Sequence, residues 1–160
     1  MRFEHVNSYP ASAADVLEML ANREFREQVC TYQDALDHTV RIDRADGTTT
    51  VEISRTQSMK GAPSAATRVV GDTVRIVQHE RWSEAGTAEF SMEIPGKPGH
   101  LRGTIRLVPN NDGGTDEVFT GEVKVGIPLV GGRLEKMVEE VLRRGLRREG
   151  RVGTSWLGQD

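Results

Sequence analysis

The stretch from Gly121 to the C-terminus constrains the fold more than any other part of the 160-residue chain. It contains one strand, a bend rich in Pro and Gly, and a long segment with the period of a helix. At about 100° per residue, one side of that helix carries apolar residues and glycine: Val130, Leu134, Met137, Val138, Val141, Gly145, Val152 and Trp156. The other side carries charged residues: Lys136, Glu139, Glu140, Arg143, Arg147 and Arg151.

This C-terminal helix needs an apolar surface to lie on, because only one of its sides is apolar. If it is unbroken from about Leu129 to Trp156, it is roughly 40 Å long, enough to cross a whole sheet of a small domain. We therefore expect the preceding chain to form a single curved antiparallel sheet.

Alternating apolar and polar residues predict the strands of that sheet. The predicted strands cover residues 2–9, 36–43, 51–56, 74–82, 88–94, 101–108 and 117–125. Two short helices follow Pro10, with Ser12 and Asn22 as their caps, and one helical turn is expected near residues 65–69. The connections between later strands are too short for parallel crossovers. The prediction is one α+β domain over residues 1–160, in the order β-α-α-β6-α.

This order carries a resemblance to a known family. Together with the stretches GEVKVGIPLVGGRLEKMVEEVL and VGDTVRIVQHERW, it resembles the START-like (SRPBCC) superfamily, which has the helix-grip fold. That superfamily includes lipid-transfer domains, pollen-allergen and plant hormone-receptor proteins, and polyketide cyclases or aromatases. The resemblance is closest to an uncharacterised, mainly actinobacterial branch. It implies about seven strands wrapped around the C-terminal helix and a cavity between them, but no shared catalytic motif.

Charge and cysteine content limit the partners and the compartment. With 21 Lys and Arg against 24 Asp and Glu, the net charge is −3, which gives no overall attraction to nucleic acid or to an anionic membrane. A single cysteine, Cys30, excludes an internal disulfide, and no apolar run suggests a signal peptide or a membrane-spanning helix. We expect a cytoplasmic protein, a monomer or weak dimer, without a nucleic-acid partner or a transmembrane segment.

Five polar residues on the inner face of the predicted sheet are the first candidates for a site: His5, His38, Arg55, Gln78 and Glu80. A buried polar group costs roughly 1 to 3 kcal/mol unless it is paired. These residues therefore either pair with one another, for example Arg55 with Glu80, or bind a guest molecule.

The apolar candidates for the cavity come from the sheet and the helix: Trp82, Phe90, Met92, Phe119, Met137 and Val141. Methionine at two of these positions suits an adaptable pocket. Gly145 lies in the middle of the apolar side, where the missing side chain either leaves room above the sheet or allows close packing.

Other kinds of site have weaker support. The four histidines show no metal-binding spacing, so no metal is expected. No cofactor is expected either. Cys30 is most simply a small buried hydrophobe. The arginines near the end of the helix are diluted by glutamates and are favoured there by the helix dipole.

The leading hypothesis is a binding protein for a mostly apolar small molecule or lipid, held between sheet and helix. The alternative is a polyketide cyclase/aromatase-like enzyme in which His5 or His38 is the general base and Glu80 or Arg55 polarises a carbonyl. A third hypothesis is a protein-partner module that uses the basic helix face. All three depend on the orientation of the helix, which predicts that Val141→Asp unfolds the domain while Arg143→Asp does little.

Overall fold

The computed structural model describes residues 1–158 and consists of one sheet and four helices. The strands are β1 (Arg2–Tyr9), β2 (Asp37–Ala45), β3 (Thr48–Ser58), β4 (Thr73–Ser83), β5 (Thr87–Glu93), β6 (Gly99–Pro109) and β7 (Thr115–Val125). The helices are α1 (Ala13–Leu20), α2 (Arg23–Tyr32), α3 (Ser64–Val70) and α4 (Gly131–Leu157). The predicted α+β class and the order β-α-α-β6-α are confirmed, with α3 as a short helix in the loop after β3. The last two residues of the predicted 1–160 domain lie outside the described part.

All seven strands pair antiparallel in the order β1-β7-β6-β5-β4-β3-β2. Strands β2 to β7 follow one another across the sheet, and their connections are short except for the one between β3 and β4, which contains α3. The tightest is Asp46–Gly47, where both residues have positive φ, as a two-residue hairpin turn requires. β1 returns to the far edge and pairs with β7, with His5 opposite Phe119. The first and the last strand of the chain are therefore neighbours in the curved sheet.

The caps of the first two helices are confirmed. Ser12 Oγ accepts a hydrogen bond from the Asp15 N–H at 3.1 Å, and Asn22 Oδ1 accepts one from Phe25 N–H at 3.1 Å. Each bond satisfies a donor that the first helical turn leaves free. These caps fix where α2 begins and hence which of its sides faces the sheet.

The inner face of the sheet follows the predicted alternation almost throughout. The exception is Leu36, which is 61% exposed. It lies one residue before β2 begins at Asp37, so the alternation of the strand does not apply to it.

From Val141 onward the most buried side of α4 lies about one residue away from the predicted side, although the predicted Val152 and Trp156 still pack against the core. Val141 is 53% exposed, whereas Leu146 is 3% exposed. At Gly153 a Cβ atom would lie 2.5 Å from a ring carbon of Tyr9, so this is a point of very close approach between helix and sheet. The error arose because apolar residues occur on two adjacent helical rows, and only tertiary contacts select between them.

No helix among the described residues is long and apolar enough to cross a membrane.

Candidate functional site

A cavity in two adjoining parts lies between the inner face of the sheet and α4. The apolar part has a volume of about 170 Å³ and extends over β4 to β7 under α3 and the first half of α4. Apolar side chains form most of its wall, including Ile94, Leu101, Val123, Ile127, Leu134 and Val138.

The second, polar part has a volume of about 570 Å³ and extends towards α2. Its wall carries Cys30 and Gln33 from the end of α2, Arg55 from β3, Gln78 from β4 and Gly145 from α4. The two parts share a set of lining residues: Met59, Val74, Ile76, Met92, Met137, Val141 and Leu142. Together they form a site with one apolar end and one polar end, which we call the helix-grip cavity.

Strand register places Arg55 and Gln78 side by side on the inner face. Gln78 pairs with Ile53, and Arg55 follows Ile53 by two residues, so both side chains point inward on neighbouring strands. Arg55 Nη1 donates to Gln78 Oε1 at 3.2 Å. This contact lies at the polar end of the cavity.

Glu80, next inward on β4, is held in the core by Arg26 of α2. Arg26 Nη2 lies 2.7 Å from Glu80 Oε1, and Arg26 Nη1 lies 3.1 Å from Glu80 Oε2. Trp82 Nε1 and Gln78 Nε2 also donate to the Glu80 carboxylate. The predicted pair of Arg55 with Glu80 is therefore wrong, because Glu80 is paired with Arg26 and reaches Arg55 only through Gln78.

Arg26 also joins α2 to α4, since its Nη1 lies 3.3 Å from Glu149 Oε1. Burial would lower the pKa of Arg26, but Glu80 and Glu149 outweigh it and raise the pKa above the usual value. Burial, opposed by Arg26, raises the pKa of Glu149 to about 7. Burial and the nearby Glu149 also raise the pKa of Glu117 well above its usual value. Glu117 and Glu149 therefore take up protons at a higher pH than exposed glutamates do.

Arg55 has no carboxylate partner among the described residues, in contrast to Arg26. It is 8% exposed, its one side-chain hydrogen bond among the described residues is to the neutral amide of Gln78, and its Nε has no partner there. Among residues 1–158, three buried side-chain atoms lack a hydrogen-bond partner: Gln33 Oε1, Ser54 Oγ and Arg55 Nε. Two of these three belong to the wall of the polar end.

Six of the twelve candidate residues line the helix-grip cavity: Arg55, Gln78, Met92, Met137, Val141 and Gly145. Four others belong to the packed core: Glu80, Trp82, Phe90 and Phe119. At Gly145 a Cβ atom would meet Gln33 Nε2 at 3.5 Å, an ordinary contact. Close packing therefore does not explain this glycine, whereas it does explain Gly153.

Neither candidate histidine contributes to the wall of the cavity. His5 Nε2 lies 2.8 Å from Asn7 Oδ1, and the ring packs against Phe119 with centroids 6.0 Å apart. Burial lowers the pKa of His5. His38 Nε2 lies 3.7 Å from Glu27 Oε2 at the edge strand β2. Among residues 1–158, no group of three or more His, Cys, Asp or Glu side chains could hold a metal ion.

The contribution of α2 to the cavity was not predicted from the sequence. Arg26, Val29, Cys30 and Gln33 all line the polar end, and their spacing of i, i+3, i+4 and i+7 is the pattern of one helix side. That pattern could have placed Gln33 in the site. The pattern also contains Arg26, but it does not show that Arg26 is fully buried, because a charged residue is almost never buried unless paired and its partners Glu80 and Glu149 lie far along the chain.

Solved structures with the same fold cover nearly the whole chain. TTHA0849 from Thermus thermophilus has 18% identity and a TM-score of 0.65, over 97% of this chain and 95% of that chain. The Zhui aromatase/cyclase from Streptomyces sp. R1128 has 14% identity and a TM-score of 0.64, over 97% and 92%. A START superfamily protein from Mycobacterium smegmatis has 14% identity and a TM-score of 0.62, over 94% and 96%. At these identities the likeness shows the fold alone, which is the helix-grip fold of the START superfamily.

Comparison by sequence gives a more direct assignment. No curated protein matches the chain. A family model described as "Protein of unknown function (DUF2505)" matches residues 4–157. The chain therefore belongs to this DUF2505 family.

Proposed function

We propose that the protein binds a mostly apolar small molecule in the helix-grip cavity. One observation carries the proposal: an apolar space of about 170 Å³ adjoins a polar end that holds a buried donor and a buried acceptor without partners among the described residues. The shape and the polarity of the cavity thus suit a guest with a large apolar body and a small polar group.

The surface of the cavity supports this proposal. The apolar part of the cavity is open to solvent, so its apolar side chains are in contact with water. A guest with an apolar body would cover this surface, which is favourable because apolar surface is removed from water. Arg55 is hydrogen-bonded by its side chain only to the neutral amide of Gln78 among the described residues, so its guanidinium group can donate to a polar group of the guest.

Native mass spectrometry of the protein purified from its own host tests the proposal. We expect a bound species whose mass is lost after solvent extraction, and which can be identified in the extract. A protein that carries no guest after this purification, and that gains none when titrated with apolar compounds, would contradict the proposal.

The two other functions have less support. In the enzyme hypothesis a general base must reach the substrate, but neither His5 nor His38 lines the cavity and Glu80 is held by Arg26. On the basic helix face, Arg143 already donates to Glu139 and to the Glu4 carbonyl oxygen, and it lies over the Phe3 ring. We therefore propose neither. The cytoplasmic location and the monomeric or weakly dimeric state stay predictions.

A further inference from the structure

Two arginines are buried in the same core, but among the described residues only one of them forms a direct ion pair. Arg26 is paired with Glu80 and Glu149. Arg55 has no carboxylate within ion-pair distance among the described residues, and its Nε has no partner there. A buried charge needs both a counter-charge and hydrogen bonds to be stable, so Arg55 lacks what Arg26 has.

The neighbours of Arg55 cannot provide the missing charge. Gln78 is neutral, and its Nε2 is already used on Glu80, which fixes its oxygen towards Arg55. Glu80 in turn accepts from Arg26, Gln78 and Trp82. Arg55 is thus held at the cavity wall without a direct ion pair among the described residues, and Glu149 on the same wall attracts it only from beyond ion-pair distance.

The chemistry of the missing partner follows from the guanidinium group. Arginine binds carboxylate and phosphate in the same two-bond geometry. A phosphate monoester would bring a second negative charge at neutral pH, which Arg55 alone cannot neutralise. A carboxylate brings one charge, and the adjoining apolar part of the cavity accommodates the rest of the molecule.

We propose that Arg55 binds the carboxylate of an apolar monocarboxylic acid, which lies with its charged group at the polar end and its tail in the apolar part of the cavity. This inference rests on the proposed binding function and names the class of ligand. A different position for the carboxylate is available at the cavity mouth, formed in part by Lys60 and Arg144, and the experiment has to distinguish the two.

Isothermal titration calorimetry at pH 8 with two pairs of probes makes the test: decanoate against 1-decanol, and 1-naphthoate against 1-naphthalenemethanol. In each pair the apolar body is the same and only the polar group differs. We expect the wild-type protein to bind at least one acid about tenfold or more tightly than its alcohol, the size of a charge-assisted contact. Arg55→Met should remove that preference and leave alcohol binding unchanged or tighter.

Arg144→Met is the matched control, because it removes one positive charge from the same cavity at its mouth. The acid preference should survive in this variant. Loss of the preference in Arg144→Met but not in Arg55→Met would place the carboxylate at the mouth and overturn the inference. Thermal melting checks folding, and Arg55→Gln replaces Arg55→Met if the latter does not fold.

The outcomes separate this inference from the proposed function. Equal affinity of the wild type for an acid and its alcohol would overturn the role of Arg55 and leave apolar binding intact. Binding of none of the four probes would overturn both.

Discussion

Arg26 is the residue whose charge the core most depends on. Its guanidinium group holds α2 against β4 and α4 through Glu80 and Glu149, and its Nε donates to the Leu20 carbonyl oxygen at 2.7 Å. It is 2% exposed. Removing one member of a buried ion pair leaves the other charge without compensation, which costs more than the pair contributes.

Arg26→Met should therefore destabilise the protein strongly. We expect a loss of about 3 to 5 kcal/mol in the free energy of unfolding, measured by urea denaturation. Arg23→Met is the matched control, because Arg23 forms an exposed ion pair with Glu27 on the same helix, and such a pair contributes about 0 to 1 kcal/mol. Similar losses in both variants would contradict the role given to Arg26.

The pKa of Glu149 predicts a pH dependence of stability. Because burial raises this pKa from 4.5 to about 7, the folded protein holds a proton that the unfolded chain releases. The resulting stability is complete below pH 4.5 and is lost as the pH rises through 7. The difference between the pKa values of the folded and the unfolded state corresponds to about 3 kcal/mol in the free energy of unfolding.

Glu149→Gln tests this sign, since glutamine is neutral at every pH and can still accept from Arg26. As the pH rises from about 5 to about 8, the free energy of unfolding of Glu149→Gln should increase relative to that of the wild type. Denaturant titrations of both proteins at each pH measure this difference. His5 acts in the opposite direction, because its lowered pKa makes its contribution disappear as the pH falls below 6.5, but it is present in both proteins and cancels in the difference. Glu117 does not cancel, because Glu149 helps to raise its pKa; the smaller shift in the variant changes the difference in the same direction as the loss of Glu149 itself. A difference that stays constant across this pH range would refute the raised pKa.

At the scale of elements, the face of α4 decides which residues stabilise the fold and which line the cavity. Leu146→Asp places a carboxylate in the core and should cost several kcal/mol, a large part of a typical stability of about 5 to 15 kcal/mol. Val141→Asp should cost far less, because Val141 is half exposed at the cavity. Thermal melting of the two variants checks the contrast. A larger loss in Val141→Asp would support the helix orientation expected from the sequence instead.

The strands were easier to predict than the helix because their pattern is simpler. Alternation at period two assigns each strand residue to one of two faces, and β3, β4 and β5 follow it. A helix offers a continuous choice of faces. In α4 both Val141 and Leu142 are apolar neighbours, and only the contacts of Leu146 and Gly153 with the rest of the core select the observed orientation.

The site was predicted in part for the same reason. Arg55 and Gln78 were found because they interrupt an apolar strand face, which is a local signal. Glu80 was predicted as a cavity residue, but its carboxylate is paired in the core with Arg26, which lies 54 residues away. Sequence periodicity shows which face a residue is on, but it does not show which charges meet across the core.

At the scale of the whole molecule, the two halves of α4 have different structural roles. Beyond Leu146 the helix is fixed to α2 and β1: Arg26 contacts Glu149, Asn7 Nδ2 donates to the Leu146 carbonyl oxygen at 2.9 Å, and Gly153 packs on Tyr9. The first half covers the apolar part of the helix-grip cavity. The firmly packed half can therefore maintain the fold whether the cavity under the other half is empty or holds a guest.

Val74→Phe tests this division of the molecule. Val74 is buried on β4, where the two parts of the cavity adjoin, so the larger ring should fill space that a guest would use. We expect loss of bound guest in native mass spectrometry, together with an unchanged or higher melting temperature, because filling a cavity adds apolar contacts. Val6→Phe on the exposed face of β1 is the control and should keep the guest. If the interior around Val74 is already close-packed, the ring will instead cost about 1 to 3 kcal/mol, and the melting temperature of Val74→Phe will fall while that of Val6→Phe does not.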